Sequence, residues 1–296
     1  MAEERPKDAA IWAALAAVYI IWGSTYLAIR FAVATLPPFL MAGTRFLVAG
    51  AILYAWRRSL GFARPTGRQW RAAFVVGGLM LLGGNGGVVW AEQYVESGTA
   101  ALIVATVPFW MVLLDWLRPG GSPPRAGVWA GILVGLGGVT LLLGSPDAGS
   151  RYVAGWAVLV LASIAWSAGS IYSRGASLPA PLLATGMQML AGGVLLLLAG
   201  LLAGEAGRVD PATVSARSIL ALVYLIVFGS LLGYSAYVWL LRVATPALAS
   251  TYAYVNPAVA VFLGWLLAGE RLTGRILLAS AVIVGAVALI TRGRRR

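Results

Sequence analysis

Ten apolar stretches, each close to the roughly 20 residues that a helix needs to cross the hydrocarbon of a bilayer, run almost end to end through this 296-residue chain. They fall at about 11–30, 37–56, 72–91, 98–118, 128–144, 154–173, 180–203, 217–241, 247–268 and 276–293, with charged or Pro/Gly-rich punctuation between them. Hydrocarbon offers no partner to a free backbone N–H or C=O, so runs of this length must become helices. With 60% hydrophobic and 11% charged residues, almost nothing remains for a soluble domain. The pattern predicts an all-α membrane protein of ten transmembrane helices. The opening MAEERPKD is short and mixed in charge, and the run after it is long enough to span. A retained first helix is therefore expected in place of a cleaved signal peptide.

The chemistry open to the chain is narrowed by what it lacks. Cys and His are both absent, which removes disulfides, thiolate chemistry, the commonest general base and the neutral zinc ligand together. No catalytic set, metal site or cofactor is expected. The net charge of +12 reads as orientation, since basic residues of polytopic proteins gather on the cytoplasmic side. With the N-terminus inside, Arg5, Lys7, Arg57, Arg58, Arg64, Arg68, Arg71, Arg118, Arg125, Arg174, Arg242 and the tail from Arg292 to Arg296 share that side, fifteen of the 22 basic residues. Six lie opposite, among them Arg30 and Arg271, and Arg45 falls within the second helix. Both termini are expected in the cytoplasm, with the basic tail beside anionic lipid and no nucleic acid involved.

Ten helices divide into two units. "IIWGSTYLAIR" (20–30) over "IAWSAGSIYSR" (164–174) matches Trp22 with Trp166 and Arg30 with Arg174 at an offset of 144. The stretches 85–117 and 234–266 match Trp90 with Trp239, Pro108 with Pro257 and Trp116 with Trp265 at an offset of 149. Five being odd, the second unit enters the membrane from the other side. Two inverted five-helix repeats are expected, residues 1–146 and 147–296, with alternating access around a site between them.

That repeat carries a family resemblance. "GTAALIVATVPFWMVLLDWL" and "ASTYAYVNPAVAVFLGWLLAGERLT", each followed by a glycine-rich closing helix, resemble the two EamA-type domains of the drug/metabolite transporter superfamily. The first half departs from the pattern where "PGGSPPR" (119–125) replaces a "GERLT"-like stretch. The resemblance implies a bacterial inner-membrane exporter of small metabolites, with amino-acid exporters of the YddG type among its relatives, and a monomer is expected.

Polar and aromatic residues indicate where a cavity could lie. Tyr19, Trp22 and Tyr26, with Thr25 adjoining, share one face of the first helix, and Ser163, Trp166, Ser167 and Ser170 form a stripe on the sixth. The third helix offers Asn85, Glu92 and Gln93, the fourth Thr106 and Trp110, the eighth Ser230, Tyr234 and Tyr237, the ninth Tyr252 and Asn256. Helices two, five, seven and ten are more uniformly aliphatic or glycine-rich, as scaffold or lipid-facing helices are. Any single Ser or Thr among these also suits close packing and a bond to its own backbone. Trp12, Trp56, Trp70, Trp129 and Trp156 sit near helix ends, where anchoring at the interface explains them.

Arg45 is the deepest ionisable residue, and the shifted match of "PFLMAGTR" with "PLLATGMQ" pairs it with Gln188. Both are candidate partners for a substrate carboxylate, with snorkelling as the alternative for Arg45. Glu92 and Asp115 lie near helix ends and are expected to be solvated or paired. The first helix has no carboxylate near its midplane, where small proton-coupled pumps of the superfamily keep one, so facilitated export is the simpler expectation. A proton-coupled multidrug exporter is the alternative within transport, and a membrane enzyme or accessory subunit the alternative outside it. Gly23, Pro108 and Pro257 are candidate hinges, since proline frees a carbonyl one turn back. Asn256 falls about 13 Å into the ninth helix, placed to satisfy the Ala253 carbonyl that Pro257 leaves free.

Overall fold

A computed structural model describes residues 8–118, 123, 126–143, 150–244, 246–249 and 251–293. The opening MAEERPK, most of PGGSPPR and the last three arginines lie outside the described residues. Ten helical runs follow: α1 Asp8–Val33, α2 Pro38–Ser59, α3 Gly67–Ala91, α4 Ser97–Leu117, α5 Ala126–Leu143, α6 Ser150–Gly175, α7 Pro181–Leu202 and α8 Ala216–Val243. Then come α9, in two pieces (Pro246–Ala249 and Tyr252–Ala268), and α10, Gly274–Gly293. The chain is an all-α membrane protein of two inverted five-helix repeats, α1–α5 and α6–α10. Its starts are chemically legible: Pro38 and Pro181 open α2 and α7, where a missing N–H costs nothing, and Thr66 and Gln69 form a capping box at α3. Here the end of the bundle that carries the N-terminus is the near face, and the opposite end is the far face.

The repeats trade partners. α1 packs on α8 and α9 of the second repeat, α6 packs on α3 and α4 of the first, while α2 crosses α7 and α5 pairs with α10. Side chains such as Ile20, Leu133, Leu161 and Leu220 are exposed around this bundle, as they should be where hydrocarbon is the solvent.

α3 and α8 each contain a ten-residue π-helical stretch, Gly77–Gly86 and Leu225–Tyr234. The two occupy equivalent places in the repeats. A π turn carries an extra residue per turn and tends to mark a functional site, and here both stretches face the centre of the bundle.

Four expectations change on this frame. α2 and α7 are more than lipid-facing scaffold: they cross through Gly43, Gly50, Gly186 and Gly193, and α2 turns Arg45 inward. Gly23 does not bend α1, which is unbroken; a Cβ there would lie 2.6 Å from Val259 Cβ, so this glycine permits the α1–α9 crossing. The break in α4 falls at Ala105–Thr106, before Pro108, and that in α9 includes Thr251, with Pro257 inside the helix that follows. Trp156, near the start of α6, is buried at 3% exposure and packs against Tyr152 in place of facing out of the bundle.

The α2–α7 crossing is tight enough to test. A Cβ at Gly50 would meet Leu190 N at 2.8 Å and the Gly186 carbonyl at 2.9 Å, both of them backbone atoms that cannot swing aside. Gly50→Leu is expected to destabilise the purified protein by about 1–3 kcal/mol, read as a fall in Tm. Gly67→Ala, with no atom within 4 Å of its Cβ, should leave Tm unchanged.

Candidate substrate cavity

Trp22 and Trp166, equivalent residues of the two repeats, meet edge to face at the centre of the bundle, ring centroids 5.5 Å apart at 84°. Each is seated against glycines of the other repeat's π-helical stretch. A Cβ on Gly233 would come within 2.5 Å of Trp22 Nε1, and one on Gly84 within 3.0 Å of Trp166 Cε3. The Trp22 indole donates to the Gly229 carbonyl at 3.2 Å. Tyr237 and Tyr252 close around Trp22 with centroids at 5.0 and 5.1 Å.

This cluster walls a cavity of about 70 Å³. Polar groups from five helices line it: Thr25 from α1, Arg45 from α2, Asn85 from α3, Ser163 from α6 and Asn256 from α9. Thr25 and Ser163 bond to carbonyls of their own helices, Trp22 O and Leu159 O, which is the packing role expected of a membrane Ser or Thr. Asn256, its amide turned so that Nδ2 can donate, reaches the carbonyls of Tyr19 at 3.2 Å and Tyr252 at 3.1 Å, tying α9 to α1. The carbonyl it satisfies is thus Tyr252's and not the expected Ala253's.

Arg45 is 3% exposed. Its Nε donates to Ser230 Oγ at 2.7 Å and its guanidinium lies over the Phe46 ring at 4.6 Å, while Nη1 has no protein partner. Asn85 Oδ1 and the Trp166 indole N–H are likewise buried without partners on the same cavity. Leaving such groups unpaired costs about 1–3 kcal/mol each, more when charged. Arg45, Asn85 and Trp166 therefore line a single space walled by aromatic rings, each carrying a buried polar atom without a protein hydrogen bond.

The remaining expected residues lie around this space or outside it. Tyr234 lines the cavity, and its hydroxyl donates to Gln188 Oε1 at 3.0 Å. Gln188 itself faces a vestibule of about 350 Å³ toward the near face, with Ser173, Arg174 and Arg242. Tyr234–Gln188 is thus the partition between vestibule and cavity. Tyr237 is buried behind the tryptophans, bonded to Ser170 Oγ at 3.0 Å, and Tyr19 pairs with Thr251 Oγ1 at 2.6 Å. Six of the expected residues are not among those lining the cavity: Tyr19, Ser170 and Tyr237, and also Gln93, Thr106 and Trp110. Gln93 is exposed and donates to its own Trp90 carbonyl. Thr106 bonds Ile103 O, and Trp110 bonds Thr106 Oγ1 and stacks on Phe109.

The far face holds a cluster for which no role was read from the sequence. Gly269, at φ +67°, ends α9 in the left-handed conformation that glycine allows, and Glu270 turns back beneath it. Its carboxylate accepts from the N–H groups of Ser97 and Gly98 at 3.1 and 3.3 Å, from Ser97 Oγ at 2.6 Å, and pairs with Arg30. One side chain of the second repeat thus caps α4 and holds α1 of the first. Glu92, expected to be solvated or paired, is neither: it is buried and neither carboxyl oxygen has a partner. The signal available in the sequence was the GERLT motif itself; nothing local marks Glu92 as buried.

A bilayer-spanning bundle with a polar cavity on its pseudo-twofold, sealed by charges at one end and by an aromatic partition at the other, has the architecture of a transporter. Both halves match the EamA-like transporter family, over residues 8–144 and 153–292. The chain is 44% identical over 286 residues to the uncharacterized inner membrane transporter YedA of Escherichia coli K12, covering 96% of this chain and 91% of that one. It is 28% identical to the protein PecM of Dickeya dadantii, over 93% and 92% of the two chains. A solved crystal structure superposes with a TM-score of 0.69 at 24% identity, over 98% of this chain and 99% of the other, which shows the shared fold. The protein is a member of the EamA family of the drug/metabolite transporter superfamily.

The buried guanidinium has a measurable consequence. Replacing a buried, incompletely paired charge by an apolar side chain of similar length is often stabilising by about 1–4 kcal/mol. Arg45→Met is therefore expected to raise the Tm of the substrate-free protein while impairing transport; a lowered Tm would mean that Arg45 is a structural residue.

Proposed function

We propose that this transporter exports small carboxylate-bearing metabolites, amino acids first among them, from the cytoplasm by alternating access. The observation that carries the reading is Arg45 Nη1, a cationic donor without a protein partner on the cavity wall. A carboxylate there would make the charge-assisted bonds that the protein leaves unmade. Asn85 Oδ1 and the faces of Trp22, Trp166 and Tyr252 suit an ammonium and an aromatic or hydrophobic side chain. An exporter of organic cations would instead need an acid in the cavity, and among the described lining residues the one charged side chain is Arg45.

At about 70 Å³ the cavity is far smaller than the roughly 300 Å³ or more of ordinary ligand pockets, so in this reading substrate enters when the Tyr234–Gln188 partition parts. The larger vestibule on the near side, against a far side held by Glu270, makes this an inward-leaning occluded state. In this reading the near face is cytoplasmic, with both termini there, in a bacterial inner membrane. The functional unit is a monomer whose halves, 1–146 and 147–296, rock about the tryptophan pair. Substrate contacts are assigned to Trp22, Thr25, Tyr26, Arg45, Asn85, Ser163, Trp166, Tyr234, Tyr252 and Asn256, the inner partition to Gln188 with Tyr237 and Ser170 behind it, and the bending points to the helix breaks at Thr106 and Thr251.

Counterflow of labelled amino acids into liposomes containing only this protein tests the reading. Saturable uptake is expected for a hydrophobic or aromatic subset, competed by free amino acids and not by their amides. Arg45→Met should lower uptake at least about tenfold, the equivalent of about 1.4 kcal/mol. No uptake across the whole panel, with the folded protein in the membrane, would overturn it.

A further inference from the structure

The far face gathers more titratable groups than one ion pair requires. Arg30 comes from α1, Glu92 from the end of α3, Glu96 from the α3–α4 turn, and Glu270 and Arg271 from the α9–α10 connection, with Tyr26 one turn below Arg30. Arg30 is committed to Glu270, which spends its remaining lone pairs on the N-terminus of α4. Glu92 is left 5% exposed with no side-chain donor to either oxygen. Burial, then the Glu270 charge, push its carboxyl well above the usual carboxylate range, with the charge and the backbone N–H of Arg30 pulling the other way. Glu96, half-buried, is raised by the same two causes against Arg30 and Arg271.

A carboxyl in such a place is tolerated neutral; ionised, it needs a cation, and Arg30 is the one at hand. We propose that Glu92 is a proton-binding site that couples the far gate, and through it the transport cycle, to the pH on the far side. Protonated, Glu92 leaves Arg30 to Glu270 and the gate stays closed. When the Glu92 O–H bond breaks and its proton passes to far-side water, the new carboxylate draws the guanidinium across. Arg30 stays a cation throughout, and Glu270 is left holding α4 by the Ser97 and Gly98 groups alone.

The sign follows from linkage. The closed state, with its raised carboxyl, binds the proton more tightly than an open state in which water reaches Glu92. Closure is therefore favoured at acid pH and lost as pH rises from the ordinary carboxylate range through the raised value. The site adjoins the cavity: Val88, one turn before Glu92, and Tyr26, one turn from Arg30, both line it. Glu92 thus supplies the buried acid whose absence from the first helix made facilitated export the simpler expectation. The inference rests on the alternating-access reading.

The chain contains no cysteine, so spin labels can be placed at Gln93→Cys and Arg271→Cys, both exposed positions flanking the gate, and their separation measured in lipid nanodiscs without substrate. From about pH 5 to about pH 9, the longer-distance population of the parent should grow severalfold. Glu92→Gln, neutral at every pH and nearly the same shape, should hold the short distance throughout. Glu270→Gln should show the long distance at acid pH as well, giving a second variant should the first not fold. A parent without a pH response, or either variant keeping the parent's response, would overturn the proposal. The distances need no substrate, so this outcome is independent of the counterflow assay, whose failure would instead count against the transport reading.

Discussion

Everything central in this molecule depends on two tryptophans that each cross into the other repeat. Trp22 leaves α1 to sit against Gly233 and the Gly229 carbonyl of α8, and Trp166 leaves α6 to sit against Gly84 of α3. A Cβ at Gly233 or Gly84 would lie 2.5 or 3.0 Å from an indole atom, so neither position admits a larger residue without moving the ring. In a bilayer the lipid is as apolar as the helices, so association rests on close contact and on interhelical hydrogen bonds. The π-helical turns supply the contact surface, and the edge-to-face indoles, at 5.5 Å, supply a joint that belongs equally to both repeats. Within the joint the two indoles differ: Trp22 Nε1 donates to the Gly229 carbonyl, whereas Trp166 Nε1 has no backbone carbonyl to meet.

The two ends of the bundle diverge for a reason visible in the connections. On the far face the α9–α10 connection carries Glu270, which satisfies orphan N–H groups of α4 and the charge of Arg30 together. Its counterpart in the first repeat is the PGGSPPR stretch, which has no acid. Arg174, the repeat mate of Arg30, donates instead to the Leu241 carbonyl and lines the vestibule. A repeat that keeps its acid at one connection and lacks it at the other has a built-in bias between its two closed ends. That bias accounts for a charged seal on one side and a hydrogen bond with aromatic rings on the other.

Much of this could be read from the chain before its structure. Ten spans follow from hydrocarbon length and backbone satisfaction, and the inverted repeat from a few heavy residues, Trp22 with Trp166 and Pro108 with Pro257. Polar and aromatic residues pointed to α1, α3, α4, α6, α8 and α9, and all six line the cavity, although α4 does so through Val104 and Val107 and not through Thr106 or Trp110. What failed did so for identifiable reasons. A 3.6-residue period cannot foresee π turns, so Asn85 was foreseen in the cavity along with Gln93, which faces out. Proline was read as the place of bending, although the chain breaks earlier, at turns whose hydroxyls (Thr106 and Thr251) bond back to preceding carbonyls. Glu92 looked solvated because it ends a helix, and its burial is imposed by Arg30 and Glu270, distant in sequence. Glycine was ambiguous: Gly23 reads equally as a hinge or a crossing until Val259 is seen against it.

Arg45 and Gln188 bring these threads together. They occupy the same position in two repeats and both are buried, yet one is a cation and the other an amide. Each uses one atom and leaves one nitrogen without a partner: Gln188 accepts from Tyr234 and closes the partition while its Nε2 makes no bond, and Arg45 donates from Nε to Ser230 while its Nη1 makes none, so the difference between them is the charge. A fold selected for stability alone would not keep a buried guanidinium half-satisfied, because an apolar side chain of that volume serves packing better. In the proposed cycle a substrate carboxylate completes that bonding. On that proposal the deviation from symmetry at Arg45 carries the selectivity, and the symmetry around it carries the motion.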